Sequence, residues 1–316
     1  MVRRSLAPLA LAALAACASR GTLVDPLKSE RALFESGRFA EAAAALTPER
    51  LRSLPKRSRG DGHALIAHCL EAVGRSDDAL AAYQLAEALY PKNLEALTGL
   101  GWLLHRQGLD DRARPLFERA VHIHPNNATA NLGLAEIQRA QGDLASAQVG
   151  YESALADASW SKNPAVLRDY AELLASRQKP QQAAEAIGRA LVLDPSAGTL
   201  LSAARIERRR GGIEAAYRDV GYALSGDPTR DDIALQRALW LLEDGRLAEA
   251  EADAEAVLAR SDDALARWVR GSARARRGDL AGARADLASA ASQRREHPFV
   301  ARAALALLEE LHAPAN

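Results

Sequence analysis

The chain has 316 residues, 48% hydrophobic and only 4% aromatic, with 41 basic and 41 acidic residues and a formal net charge of zero. Zero net charge removes the global field that would draw the chain to nucleic acid or to an anionic membrane surface, so no nucleic-acid partner is expected. Few aromatics argue against one bulky globular core, and the dominant alanine and leucine favour helices in close contact.

The start of the chain reads as a targeting segment. Arg3 and Arg4 form a basic region, and residues 5–16 form an apolar run too short to span a bilayer. The sequence Leu14-Ala15-Ala16-Cys17 follows. It resembles the bacterial lipobox, which implies cleavage before Cys17 and a diacylglycerol on that cysteine. The other reading is a plain secretory signal with a chance cysteine. Residues 1–16 are thus expected to be the signal peptide and 17–26 a lipidated tether; the nine residues after Cys17, fully extended, reach about 30 Å. No second long apolar run exists, so the expected membrane contact is a lipid anchor on Cys17 rather than a span. Ala18 stands where the familiar inner-membrane retention signal has aspartate. The resemblance therefore implies a periplasm-facing outer-membrane protein, with the inner membrane as the alternative. Cys69, the only other cysteine, falls in an apolar helical stretch and reads as a buried free thiol.

Residues 27–50 carry Gly37, Phe39, Ala42 and Leu46 at helical-hairpin spacing, with Glu30 where a small contact residue is expected. Pro48 ends the second helix early, and residues 49–60 read as a basic loop. From residue 60 the pattern becomes regular. In the stretch 94–127, Leu97, Leu100 and Leu104 recur at helical spacing beside Gly101. Gly108 breaks the pattern, Ala113, Phe117 and Ala120 resume it, and Pro125 ends it. Two amphipathic helices around a glycine turn make a helical hairpin. The small residue of the first helix falls at 67, 101, 135, 171, 204, 238 and 271, in steps of 34, 34, 36, 33, 34 and 33. The alanine of the second helix falls at 42, 79, 113, 147, 183, 216, 250 and 283. Two series keeping one period are the mark of a repeat array. The long step coincides with an insertion, Ser159-Trp160-Ser161-Lys162-Asn163, which is expected to be a bend or a weak interface. The turn at Gln178-Lys179-Pro180 lacks the glycine used elsewhere. A last helix over 299–312 continues the buried stripe with Val300, Ala303, Ala304 and Leu307, and reads as a cap.

The Leu–Gly, Gly, Ala, aromatic, Ala and Pro pattern resembles the 34-residue tetratricopeptide repeat (TPR). The resemblance covers residues 27–312, with about seven clear repeats from 60 to 296 and a divergent one at 27–50. It implies an all-α TPR solenoid, a right-handed superhelix of helical hairpins with a C-terminal capping helix, whose first helices line a concave groove.

No HExxH, phosphate-cradling Gly-Lys loop or GxSxG elbow is present. No cofactor or metal is expected, and His122 and His124 read as surface residues. Asp77-Asp78, Asp110-Asp111 and Asp231-Asp232 suit helix N-termini. The chain is therefore expected to be a non-enzymatic scaffold that takes protein partners in its groove. TPR geometry implies that His68, Trp102, Glu136, Glu172, Arg205, Leu239 and Ser272 lie near the middle of each first helix. Leu201, Leu235 and Trp268 lie one turn earlier, and His105, Arg139, Arg208 and Leu242 one turn later. Arg139 and Arg168 are placed to neutralise Glu136 and Glu172. Packing between repeats is the other reading of Leu239 and Leu242; a solvated helix end is the other reading of Arg208–Arg210. Trp240 is expected to be buried. The Asn and Lys residues with which other TPR proteins clamp acidic chaperone tails are absent. Related lipoproteins assemble type IV pili or secretins, the function placed first here. Alternatives are adaptors of polysaccharide export or of peptidoglycan hydrolases and, behind them, a carbohydrate-binding or hydrolytic envelope protein.

Overall fold

A glycine in the left-handed region lets the chain leave one helix and enter the next within a few residues. Gly108 (φ 75°) and Gly142 (φ 83°) do so in the computed structural model, which describes residues 25–312. The segment read as a signal peptide, Cys17 and most of the expected tether lie outside these residues. Eighteen helices and no strand occur among the described residues. Three short ones, α1 (Lys28–Glu35), α2 (Phe39–Ala45) and α3 (Pro48–Ser53), precede seven hairpins. The first helices are α4 (Lys56–Ala72), α6 (Leu94–Arg106), α8 (Ala128–Ala140), α10 (Pro164–Ser176), α12 (Ala197–Arg209), α14 (Asp231–Glu243) and α16 (Ala264–Arg277). The second helices are α5 (Ser76–Leu89), α7 (Asp110–Ile123), α9 (Leu144–Leu155), α11 (Pro180–Leu193), α13 (Ile213–Gly226), α15 (Leu247–Leu258) and α17 (Leu280–Ser292); α18 (Pro298–His312) closes the series. None of the helices described is long and apolar enough to cross a membrane. The hairpins group into two compact units, one ending at Leu193 and the other beginning at Asp194.

The period has local causes. Asn93, Asn127 and Asn163 cap α6, α8 and α10, each side chain accepting from a backbone N–H two or three residues on. The small-residue series is buried throughout. A Cβ on Gly101 would stand 2.7 Å from the Phe117 ring, and one on Gly271 2.9 Å from Leu287. These are the points where the two backbones of a hairpin approach. Nine residues of α6 are buried against four of α7. Within each unit a first helix packs against its own second helix and against the second helix that precedes it, whereas a second helix keeps one face in water.

Two expectations from sequence are corrected. Residues 49–60 are not a loop: Thr47 accepts from the Arg50 N–H, Pro48 takes the first helical position, and α3 buries Leu51. Glu30 nearby is buried and held by Arg50 Nε at 3.0 Å, which is how a charge replaces the small contact residue. At the insertion 159–163, Trp160 is 1% exposed and packs among Tyr151, Ala154 and Val166. In the cap, Ala301 and Ala304 are the buried pair, and Ala303 is exposed. Cys69 and Trp240 are buried; the burial of Cys69 pushes its thiol up to about 12.

Candidate partner-binding face

In three of the four hairpins of the first unit a side chain on the first helix meets an aromatic ring fifteen residues later on the second helix: His68 with Tyr83, Trp102 with Phe117, Glu136 with Tyr151. The rings are fully buried, and they need room. Gly99 and Gly133 on the following first helices provide it: a Cβ there would stand 2.5 Å from Tyr83 or 2.4 Å from Phe117. Each tyrosine hydroxyl must then find a partner in the low-dielectric interior.

Tyr83 donates its single proton to Glu71, which Arg106 of the next repeat also engages. His68 Nδ1 lies 2.7 Å from the same hydroxyl oxygen, so His68 carries its proton on Nδ1 and donates it. Burial, with Arg31 and Arg106 nearby, pushes His68 down to about 4, so it is neutral at pH 7. Glu136 accepts from Tyr151 at 2.6 Å and from Arg139 at 2.8 Å. Arg168 pairs with Asp169 at 3.3 Å. Burial and the Glu136 charge hold the Tyr151 hydroxyl well above its ordinary range. At the N-terminal end, Arg31 forks onto Glu95 (2.9 and 3.3 Å), and Asn93 donates to Asp61 at 2.9 Å. Burial and the Glu95 charge raise Asp61 to about 6.

These contacts correct the sequence reading. His68 and Glu136 are buried polar partners within their own hairpins and are not presented to a groove. Trp102 is half-buried, edge-on to Phe117 and His105, and its Nε1 donates to the Thr129 carbonyl at 3.2 Å, tying α6 to α8. His105 is held by Asp110 at 2.6 Å. Arg168 pairs with the neighbouring Asp169, and Glu172 lies half-buried on α10.

The second unit is built differently. Leu201, Leu235 and Leu242 are buried in packing between helices. Trp268 packs with Leu287, Ala304 and Leu307, and so toward the cap, with Ser272 buried a turn away. Arg208 forks onto Asp244 (2.7 and 2.8 Å), reaches Glu243 at 2.9 Å and lies over the Trp240 ring. It is a tie between repeats, not a solvated helix end. That guanidinium holds Asp244 down to about 2. Arg205 on α12 and Leu239 on α14 stand at equivalent positions of neighbouring first helices. Arg205 is exposed, its Nη2 donating to Gln236 Oε1 at 3.2 Å, and Leu239 is half-buried, packed in part against the core of the unit.

The fifteen-residue pairing was missed in the sequence, though its signal was there: each ring of the second helix follows a large first-helix side chain at a constant offset. No group of three or more His, Cys, Asp or Glu placed to hold a metal occurs among the described residues. His122 and His124 are both exposed.

Comparison with known proteins matches the tetratricopeptide repeat to residues 65–128, 111–159 and 235–301. A curated relative, described as a probable UDP-N-acetylglucosamine–peptide N-acetylglucosaminyltransferase, SPINDLY, of Arabidopsis thaliana, is 32% identical over 122 residues. The match takes in 38% of this chain and 13% of that protein. Among solved structures, a tetratricopeptide repeat protein of Parabacteroides merdae superposes with TM-score 0.58 at 22% identity, over 80% of this chain and 99% of the other. Pseudomonas aeruginosa PilF gives 0.54 at 19% over 68% and 97%. PilW, described as a widely conserved type IV pilus biogenesis factor, gives 0.54 at 18% over 66% and 94%. At these identities the likeness is one of fold.

Proposed function

We propose that this chain, which belongs to the tetratricopeptide repeat family, is a non-catalytic scaffold anchored by lipid on Cys17, which takes a protein segment on the first-helix face of its second unit. The observation that carries the reading is the contrast between the two units. In the first, the mid-helix positions are occupied by partners within the chain: His68 by Tyr83, Trp102 by Thr129, Glu136 by Tyr151 and Arg139. In the second, Arg205 is exposed with its guanidinium on Gln236, and Leu239 stands at the equivalent position one repeat on, half-buried. A cation one repeat away from an aliphatic side chain suits an extended or helical segment carrying an acidic residue and a hydrophobic anchor. Arginine is among the side chains that dominate binding energy when an interface buries them.

The anchor reading is supported by the Leu14-Ala15-Ala16-Cys17 box, and places the scaffold on the periplasmic side of an outer membrane. Within the envelope, assembly of a type IV pilus or secretin is the role we place first. Its support is the lipobox together with a repeat fold like that of PilF and PilW. The test is recovery of envelope proteins on tagged variants. Arg205→Glu is expected to lose the partner while helical content and melting temperature hold, and Cys17→Ser to stop incorporating labelled palmitate. Unchanged recovery with Arg205→Glu overturns the binding face; palmitate still incorporated by Cys17→Ser overturns the anchor.

A further inference from the structure

Helix α18 has two unlike faces. Ala301 and Ala304 are buried, and Leu307, Leu308 and Leu311 pack inward with Leu287, Ala290 and Trp268. Arg284 fixes the end of the helix by donating to the Leu311 carbonyl at 2.8 Å. On the other face Phe299 is 81% exposed and Leu305 42%. Phe299, Arg302, Ala303, Ala306, Glu309 and Glu310 are all exposed, and their three- and four-residue spacing aligns them in one stripe. Phe299 heads this stripe with its ring in water.

The charges say which contact. The first half of the stripe carries Arg302 and the second half Glu309 and Glu310, and none of the three forms an ion pair with a described residue. Arg237, Arg270 and Arg274 of the same unit all reach carboxylates. A stripe that is positive at one end and negative at the other is complementary to itself reversed. We infer that α18 is a self-association surface on which a second copy of this chain packs its own α18 antiparallel, with Ala306 at the two-fold axis. The register is fixed by the charges: Arg302 faces Glu309 and Glu310 of the second copy, and the reverse holds by symmetry. Ala303 and Ala306 let the axes approach to about 8 Å, Leu305 flanks the contact, and Phe299 covers the last turn of the opposing helix. The antiparallel helix dipoles add to the preference. One four-turn stripe per copy offers less area than a standard interface, so the dimer is expected to be weak, with Kd on the order of micromolar.

Sedimentation of the full chain in detergent, from about 1 to about 100 µM, tests this. Wild type is expected to pass from monomer to dimer mass and to stop there. Arg302→Glu sets like charges opposite one another and is expected to weaken the dimer at least tenfold, as is Phe299→Asp. Helical content should hold, since both side chains are exposed. The variant combining Arg302→Glu with Glu309→Arg and Glu310→Arg restores complementarity with every sign reversed, and is expected to dimerise as wild type does. A wild type monomeric at the highest concentration overturns the inference. So do mass that keeps growing beyond the dimer, a dimer indifferent to Arg302→Glu, and a charge-reversed variant as weak as the single one.

Discussion

In the first unit the space between a first helix and its second helix is filled by a ring, Tyr83, Phe117 or Tyr151; in the second it is filled by Val220, Ala254 or Leu287. Tyr83 and Phe117 have Gly99 and Gly133 opposite them for space, and the two tyrosine hydroxyls donate to Glu71 and Glu136, with His68 donating to the Tyr83 oxygen. In the second unit Leu287 has Gly271 opposite it, and none of the three side chains carries a hydroxyl. There the hairpins are tied by arginine forks sixteen residues apart, Arg237 to Asp253 (2.7 and 2.6 Å) and Arg270 to Asp286 (2.8 and 2.5 Å). The last hairpin of the first unit, with Ile187, already lacks the ring. One hairpin period thus accommodates two ways of holding helices together. The way chosen decides whether the first-helix face is used up internally or left open.

The largest effect is expected where a ring fills its slot. Phe117→Ala leaves a cavity against Gly101, Gly133 and Trp102, and is expected to cost about 3–5 kcal/mol in urea unfolding. Gly133→Ala overpacks the same slot by about 1–3 kcal/mol. Combining Gly133→Ala with Phe117→Leu should cost less than the sum, since the smaller side chain makes room for the methyl. Additive losses would mean that ring and glycine are not one device.

The two units should also differ with pH. Between about 4 and 6.5 the unfolded chain binds a proton at His68 that the folded chain does not, so this contribution is full above 6.5 and lost as pH falls. Asp61 runs the other way: between 3.8 and about 6 the folded chain keeps a proton that the unfolded chain has released. Its contribution is full below 3.8 and lost as pH rises through about 6. In wild type the two slopes oppose each other. Asp61→Asn removes the second, and is expected to uncover a rise in stability of about 1–3 kcal/mol between pH 4 and 7, and to exceed wild type at pH 7. Asp244 in the second unit, held near 2, loses its contribution only as pH falls below 3.8. A urea midpoint for Asp61→Asn as flat with pH as that of wild type would contradict the assignment.

The smallest effect is at a turn. Gln178 sits at φ 58°, where other turns use glycine. Gln178→Gly is expected to gain up to about 1 kcal/mol, read as a small rise in melting temperature. A loss would show that Gln178 makes a contact worth more than its backbone strain.

The repeat period, the small contact residues and the burial of Cys69 and Trp240 were legible, because each rests on spacing within one hairpin. The polar interior was not. Trp102 looked like a groove residue because its partner, the Thr129 carbonyl, is backbone 27 residues away and carries no side-chain signal. His68 and Glu136 looked available because their tyrosines belong to the other helix of the hairpin. The helix at 48–53 was legible in retrospect from Thr47-Pro48, an N-cap followed by proline, but its basic residues suggested a loop. In the cap, Ala301 and Ala303 are alike in size, and a shift of two residues in helix phase separates the buried one from the exposed one.

The central claim is that partners are taken on the open face of the second unit and not on the internally occupied face of the first. Photocrosslinking in intact envelopes tests it most directly, with a photoreactive residue placed singly at Arg205, at Leu239 or at Trp102. The expected result is one and the same crosslinked protein from Arg205 and Leu239, and none from Trp102. Crosslinks from Trp102 alone, or from none of the three, would contradict it.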